Sequence, residues 1–262
     1  MGYINNWLAH WDYLLLLLLR VSALIFSSPI FGRRNIPVIA RIGYCACIAY
    51  LFFVSVPQTQ PLDYHDDLML YVLLCVKELL FGLVLGYVLN AFFTLTFTAG
   101  QLIDMQMGFG LVNVFDPQSN LSIPMVGNFL NIVMLLVFFA VNGHHRLIQI
   151  LYLTVVRIPI GSVEFSPSLA LVAVELFSQT FLLALSVALP IVVSGLMGEA
   201  LMGVITRSVP QINVFMIGLP LKVVLGFVIL LATLPVYVNF LPQIFEQMYI
   251  GLDNMFGALM GG

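Results

Sequence analysis

Carboxylates and histidines near the middle of the chain are the side chains whose types could support a chemical reaction. Asp104 and Asp116 could act as an acid pair, in which one carboxyl donates a proton and the other accepts one. No nearby residue orients them, and the dipeptide Asp116-Pro117 is typical of the opening of a turn. His144 and His145 diverge on a helix because they are adjacent, and no third metal ligand is near them. We therefore predict neither a catalytic site nor a metal site.

Cysteine chemistry is not indicated either. Cys45, Cys47 and Cys75 all lie inside apolar runs, where a thiol behaves as a small buried side chain. The chain contains no nucleophile elbow, no glycine-rich phosphate-binding loop and no His-Glu metal pattern. Its net charge is −3, and it has no basic tract that would bind nucleic acid. These observations predict a protein that is not an enzyme and uses no cofactor.

Charged side chains within apolar runs carry more information. Arg20 lies well inside the leucine-rich run 13–31, and an arginine at the centre of a membrane span costs about 2.5–3.5 kcal/mol on insertion scales. We expect Arg20 to face a buried partner rather than to snorkel to the interface. Lys77 and Glu78 point in directions about 100° apart on a helix, so each needs a different partner. Intramembrane or intersubunit polar contacts are predicted for Arg20, Lys77, Glu78, Glu175, Glu199, Arg207 and Lys222.

The composition places these residues in an integral membrane protein. Hydrophobic residues make up 61% of the 262-residue chain and charged residues only 8%, a ratio typical of helices surrounded by membrane lipid. We predict an all-α protein of about six hydrophobic segments, in which runs shorter than about 18 residues form kinked or half-spanning hairpins. Arg33, Arg34 and Arg41 place their loop in the cytoplasm, because basic residues concentrate in cytoplasmic loops.

Two stripes of small and polar residues recur every four positions within the long apolar runs. Residues at this spacing share one helix face, and small side chains there let two helix backbones approach closely in a membrane. The first stripe begins at Glu78, and the second also contains Glu199 and Arg207. An alternative interpretation of the first stripe is the lining of a transport path. Helix packing is predicted at Gly82, Gly86, Asn90, Gly195 and Gly203.

A stretch rich in glycine, proline and polar residues, 101–128, interrupts the apolar runs in the middle of the chain. Its prolines and glycines oppose one continuous helix, and irregular backbone at membrane depth survives only beside protein or a water-filled cavity. We interpret the stretch as a loop that lines a passage; the alternative is an ordinary loop between two spans. Flexible thioethers and rings beside glycines can close a narrow passage and yield to a passing chain. The predicted gate residues are Met105, Met107, Gly108, Phe109, Gly110 and Phe115.

Several stretches, spread over most of the chain and in the same order, resemble the FliR family of flagellar export-gate proteins. The central stretch and the stretch 211–222 are specific, whereas the leucine-rich runs are not. The matching stretches are SPIFGRRNIPVIAR (28–41), KELLFGLVLGYVLN (77–90), GQLIDMQMGFGLVNVFDPQS (100–119), NGHH (142–145) and QINVFMIGLPLK (211–222).

The resemblance implies one membrane domain, residues 1–262, in a helical export gate of the bacterial inner membrane at the flagellar basal body. In that family the subunit assembles with FliP and FliQ, works with FlhB and FlhA, and exports unfolded flagellar substrates. It resembles a FliP-like part, about 1–190, joined to a FliQ-like part, about 191–262, and the repeated Asn-Val-Phe at 113–115 and 213–215 is a weak hint of duplication. The resemblance also implies partners in neighbouring subunits for Arg20, Lys77, Glu78, Glu175 and Glu199, and a loop around 105–115 that plugs the closed pore.

Two other functions stay open at this point. A virulence-secretion relative would have the same machinery and a different cargo, and only the closeness of the quoted motifs separates it from a flagellar protein. A stand-alone secondary transporter would place Lys77, Glu78 and Glu199 near the midplane, but that class has two matched halves with broken helices at corresponding places. The halves here match only at Asn-Val-Phe, so we favour the gate subunit.

Overall fold

The computed structural model describes residues 2–33, 35–56, 68–109, 124–163, 165–208 and 214–259. Throughout these ranges the regular secondary structure is α-helical, which confirms the predicted fold class. The helices are α1 (Gly2–Ser27), α2 (Val38–Ser55), α3 (Leu68–Met107), α4 (Met125–Ala140), α5 (Gly143–Arg157), α6 (Ser168–Ser208) and α7 (Val214–Ala258).

Helices that can cross a membrane make up most of the described chain. By length and hydropathy they are α2, α3, α6 and the part Pro220–Ala258 of α7. The helices α4 and α5 meet at an angle of 71° and together form one broken span or a re-entrant pair. With α1, these elements match the predicted number of hydrophobic segments. At 40 residues α3 is about 60 Å long, which exceeds the hydrocarbon thickness of about 30 Å even when the helix is tilted.

Several helices are longer than the sequence patterns predicted. Because no proline or glycine occurs between 101 and 107, α3 continues to Met107, and this part of the predicted central loop is helical. Towards the end of the chain, α7 continues through Pro220 and Pro242 to Ala258, although proline usually interrupts a helix. Proline removes one backbone hydrogen bond from a helix, a loss that neighbouring helices in a membrane compensate for.

The chain folds into two compact units, each built from separate stretches of sequence. Because α3, α6 and α7 are long, each of these helices contributes residues to both units. The predicted division at about residue 190 stays a prediction. Unit 1 comprises Met1–Ala91, Asn142–Leu176 and Gln247–Gly262, and unit 2 comprises Phe92–Val141 and Phe177–Glu246.

The core of unit 1 forms around α1. Leu17 of this helix is completely buried. The ring of Tyr13 packs against Phe53 of α2, with centroids 6.2 Å apart. Phe52, also on α2, packs edge-on against Tyr152 of α5, with centroids 5.5 Å apart. The three helices α1, α2 and α5 are therefore joined by aromatic contacts as well as by aliphatic packing.

The core of unit 2 forms where the second half of α3 packs against α4. The ring of Phe138 on α4 lies edge-on to Phe93 of α3 and to Phe245 of α7, with centroids 5.7 and 5.4 Å apart. The buried Asn131 amide donates hydrogen bonds to the Thr96 hydroxyl at 3.1 Å and to the Phe93 carbonyl at 3.3 Å. Such side-chain hydrogen bonds help to hold helices together in lipid, where water does not compete for them.

Candidate functional site

The C-terminal turn of α3 contains the predicted gate residues that the structure describes. Gly108 has a φ of 88°, in the left-handed region that glycine adopts without a steric penalty. The Phe109 N–H donates to the Asp104 carbonyl at 2.9 Å, and the Gly108 N–H donates to the Met105 carbonyl at 3.3 Å. These two bonds define a Schellman cap. As a result α3 ends at Met107 in a fixed turn, and the chain leaves the helix in a set direction.

The Asp104 side chain joins this turn to the start of α4. Its Oδ1 accepts a hydrogen bond from the Val126 N–H at 3.2 Å. The first N–H groups of a helix have no partner within the helix, and the N-cap residue of α4, Pro124, provides no side-chain acceptor. One turn before Asp104, a methyl group added to Gly100 would overlap the backbone of Gly127. The two ends of the central segment are therefore held close together.

Two glycines of neighbouring helices form a cradle for the α3 turn. Met107 is 1% exposed and lies against Gly226 of α7, where an added Cβ would come within 2.5 Å of the Met107 Cγ. Gly195 of α6 faces Gln106 in the same way, with 2.5 Å between the added Cβ and the Gln106 Cγ. We call Gly195 and Gly226 the glycine cradle. A side chain at either glycine would overlap Gln106 or Met107, whose side chain would have to shift.

The remaining predicted gate residues lie in different environments. The ring of Phe109 packs edge-on against Phe227 of α7, with centroids 6.0 Å apart. Met105 is 68% exposed, so its thioether lies at the surface of the chain. Gly110 and Phe115 lie outside the described residues, and their place in the gate stays a prediction.

Arg20 and Glu78 form an ion pair in unit 1, and both side chains are 0% exposed. The Arg20 Nε donates to Glu78 Oε2 at 2.5 Å, and Nη2 donates to Oε1 at 3.0 Å, the bidentate geometry that strengthens such pairs. Nη1 donates to the carbonyls of Thr154 at 3.3 Å and Ile158 at 3.0 Å, at the end of α5. Glu78 Oε1 also accepts from the Gly161 N–H at 2.8 Å. The pair joins α1, α3 and α5.

This pairing corrects the implication that Arg20 and Glu78 find their partners in neighbouring subunits. The two residues are 58 positions apart in sequence, but α1 and α3 lie side by side and bring them together within one chain. Lys77 points about 100° away from Glu78 around α3, and is half-buried outside the pair. Glu175 lies on the exposed face of α6.

The first stripe of small residues lies on the face of α3 that contacts α1. A methyl group on Gly82 would overlap the Arg20 carbonyl. One on Gly86 would overlap the side chain of Ser27. The Asn90 amide donates a hydrogen bond to the Ser27 carbonyl. The backbones of α1 and α3 therefore approach closely along this stripe, and the contact supports the alignment of Arg20 with Glu78.

The second stripe has only one residue in close packing within the described chain, Gly195 of the glycine cradle. Glu199 accepts a hydrogen bond from Lys222 of α7 at 2.5 Å, and the two side chains are 42% and 36% exposed. Gly203 faces open space, since an added Cβ would meet nothing within 4 Å, so the packing predicted there has no counterpart within the described chain. Arg207 is exposed. Equal spacing along a helix therefore does not by itself identify a packed face.

Sequence reasoning missed the structural role of Asp104 and did not single out Gly226. Asp104 was considered only as half of an acid pair with Asp116, which lies outside the described residues. One signal was present, because a carboxylate in the last turn of a helix is opposed by the helix dipole and needs a donor from elsewhere. Gly226 gave no such signal, since its neighbour Met107 is remote in sequence.

The described residues were considered next as metal ligands. Among them, no group of three or more His, Cys, Asp or Glu side chains could hold a metal ion. The rings of His144 and His145 lie 4.1 Å apart at the start of α5. They follow Asn142, whose φ of 59° allows the sharp bend between α4 and α5.

Comparison with protein families identifies the class to which this arrangement of helices belongs. A family model described as "Bacterial export proteins, family 1" matches residues 12–248, most of the chain. The chain belongs to this family of bacterial export proteins.

Individual relatives within the family are flagellar proteins. The flagellar biosynthetic protein FliR of Bacillus subtilis (strain 168) is 33% identical over 254 residues, which cover 94% of this chain and 95% of the relative. FliR of Escherichia coli (strain K12) is 30% identical over 255 residues, 97% of each chain. FliR of Aquifex aeolicus (strain VF5) is 29% identical over 243 residues, 91% of this chain and 92% of the relative. The resemblance to the FliR family is therefore confirmed over nearly the whole length.

Proposed function

We propose that this chain is a structural subunit of the flagellar type III export gate, and that it forms and plugs the channel through which unfolded flagellar proteins cross the bacterial inner membrane. Family membership supports this proposal, because relatives that match nearly the whole chain carry the name of a flagellar biosynthetic protein. Those names also favour flagellar export over virulence secretion. The partners in this proposal are FliP, FliQ, FlhB and FlhA, assembled in the flagellar basal body.

The anchoring of the central segment at both ends is the observation that carries the plug assignment. On one side, Gly108 closes the cap of α3, and Met107 sits in the glycine cradle. On the other side, Asp104 holds the first turn of α4 through the Val126 N–H. These contacts fix the two helix ends, α3 and α4, between which the segment runs. A plug requires such fixed helix ends on both sides.

The residue types around the turn suit a seal for chains of varied sequence. Met105 is exposed beside a turn that also bears Phe109, and Phe115 and Gly110 follow in the sequence. Thioethers adopt many rotamers and pack against irregular surfaces, and an apolar constriction excludes water and ions when closed. A specific polar binding site would instead select among cargo sequences. The exposed thioether next to a fixed turn therefore supports a deformable apolar plug.

Deletion of residues 110–115 tests the plug in assembled gates. The variant is produced together with the other gate subunits, and ion leakage across the inner membrane is followed with a potential-sensitive dye. We expect the closed gate to leak, because the apolar constriction is lost. A deletion of six residues within 57–67 is the matched control, since that segment also connects two helices, α2 and α3.

Two outcomes separate the parts of the proposal. Membranes that stay tight in the 110–115 variant, with the subunits still assembled, would contradict the plug. A wild-type chain that purifies in mild detergent without any other subunit would contradict membership in a gate and would favour a stand-alone transporter. The wild-type purification is therefore done first.

A further inference from the structure

A small cavity of about 20 Å³ lies beside the C-terminal end of α3, within unit 2. The last turn of α3 forms one wall through Gln106 and Met107, and α6 and α7 form the others. One water molecule needs about 10–15 Å³ of such space. The cavity therefore has room for a single water, and it is much too small for a lipid chain or for a segment of another protein.

The Gln106 side chain brings a polar group without a partner to this cavity. Its Nε2 atom is buried and has no hydrogen-bond partner among the residues that the structure describes. The amide lies against Gly195, where an added Cβ would come within 2.9 Å of Nε2. Buried polar atoms nearly always have a partner, because an unpaired one loses its hydrogen bonds to solvent without replacement. Water suits either end of an amide, since it both donates and accepts.

Two more polar side chains line the cavity together with Gln106. The Ser194 hydroxyl on α6 donates to the Ile191 carbonyl at 2.8 Å, and its oxygen keeps lone pairs that accept a hydrogen bond. Lys222 on α7 pairs with Glu199, and its ammonium group has two further donors. A buried water makes about three hydrogen bonds in a typical protein, which is the number that these three side chains supply.

We propose that this cavity is a binding site for one ordered water molecule. The water accepts a hydrogen bond from the Gln106 amide and donates one to the Ser194 hydroxyl, so that it bridges α3 to α6 next to the glycine cradle. The end of α3 is then held by a polar contact as well as by the packing of Met107. This inference concerns the chain itself and does not rest on the proposed function.

Two alanine substitutions on α6 form a matched pair that tests the proposal. Gly198 lines the cavity, and an added Cβ would lie 3.7 Å from Cδ1 of Leu225, which is an ordinary contact with another lining residue. Gly203 faces open space, with nothing within 4 Å of an added Cβ. Both substitutions remove the cost of a glycine within a helix. Only Gly198→Ala places a methyl group in the cavity, where it displaces the water.

The two substitutions are compared in the wild-type chain and in a Gln106→Met chain, by reversible unfolding of the full chain in mixed detergent micelles. With Gln106 present, we expect Gly198→Ala to have a folding equilibrium constant about tenfold lower than Gly203→Ala, because the amide loses its partner. In the Gln106→Met chain this difference should disappear, since methionine has no polar group that needs the water. Such a cycle isolates the coupling between the amide and the contents of the cavity.

Three results would overturn the water site. If Gly198→Ala is as stable as Gly203→Ala with Gln106 present, or more stable, the methyl group fills space that no water occupies. If the same tenfold loss occurs in the Gln106→Met chain, the loss comes from steric strain. An experimental structure at a resolution that shows ordered solvent should have a density peak within about 3.2 Å of the Gln106 amide in the wild-type chain, and no peak there in Gly198→Ala. A wild-type structure without that peak would also contradict the site.

Discussion

Replacement of Glu78 by glutamine tests how strongly the buried ion pair between α1 and α3 stabilises the protein. The substitution keeps the shape of the side chain and removes its charge. In the structure Oε2 accepts from Arg20, while Oε1 accepts from both Arg20 and Gly161. Glutamine carries an NH₂ group in place of one oxygen. Either orientation of the amide therefore sets a donor against a donor, and no rotation relieves the conflict.

The expected loss follows from the burial of both partners. Removal of one member of a buried ion pair costs about 3–5 kcal/mol, because the other charge stays buried without its counter-charge. Arg20 keeps its hydrogen bonds to two carbonyls at the end of α5, so the low end of this range, about 3 kcal/mol, is expected. The double variant Arg20→Met/Glu78→Leu should recover part of the loss, since it buries no charge.

The free energy of unfolding of each variant is measured on the purified chain in mixed detergent micelles. Reversible unfolding is followed by the circular dichroism of the helices. Lys77→Gln is the control, because Lys77 is adjacent to Glu78, half-buried and outside the pair. That variant should change the free energy of unfolding by less than about 1 kcal/mol. The reasoning is refuted if Glu78→Gln loses no more than Lys77→Gln, or if the double variant is less stable than Glu78→Gln.

Two further predictions concern the α3 turn and its supports. Asp104→Ala removes the cap of α4 and should cost about 1 kcal/mol, seen as faster hydrogen exchange at the Val126 amide; Asp104→Asn keeps an acceptor, and equally fast exchange in both variants would contradict the capping role. Gly226→Ala should displace Met107 and cost about 1–3 kcal/mol through overpacking, measured by unfolding in detergent. Gly203→Ala, where the added methyl meets nothing, should be neutral or slightly stabilising, and equal losses at both glycines would rule out the cradle.

The helices of this fold were easier to predict from sequence than the contacts between them. Long apolar runs predict helices because a helix satisfies its backbone hydrogen bonds within one segment, as lipid requires. The bounds were less accurate, because proline usually interrupts a helix, yet α7 continues through Pro220 and Pro242. The residues 101–107 were grouped with the glycines that follow them, although only Gly108 ends the helix.

Periodicity identified faces but could not say what they contact. The spacing of Gly82 and Gly86 indicated a close helix–helix approach, and both lie against α1 in the structure. The same spacing places Gly203 in open space. Nothing in the local sequence pairs Arg20 with Glu78 or Met107 with Gly226, because these contacts depend on the three-dimensional arrangement of helices. The sequence therefore predicted that a buried charge has a partner, but it did not predict which residue that partner is.

The distance in sequence between Arg20 and Glu78 has a consequence for biosynthesis. The arginine leaves the ribosome 58 residues before its counter-charge, which at cellular rates of synthesis is a delay of about 3–12 s. During that interval the first helix carries a charge without its counter-charge, which opposes its transfer into lipid by about 2.5–3.5 kcal/mol. Chains truncated before the third helix should consequently insert less stably, so that the pair couples the insertion of α1 to the synthesis of α3.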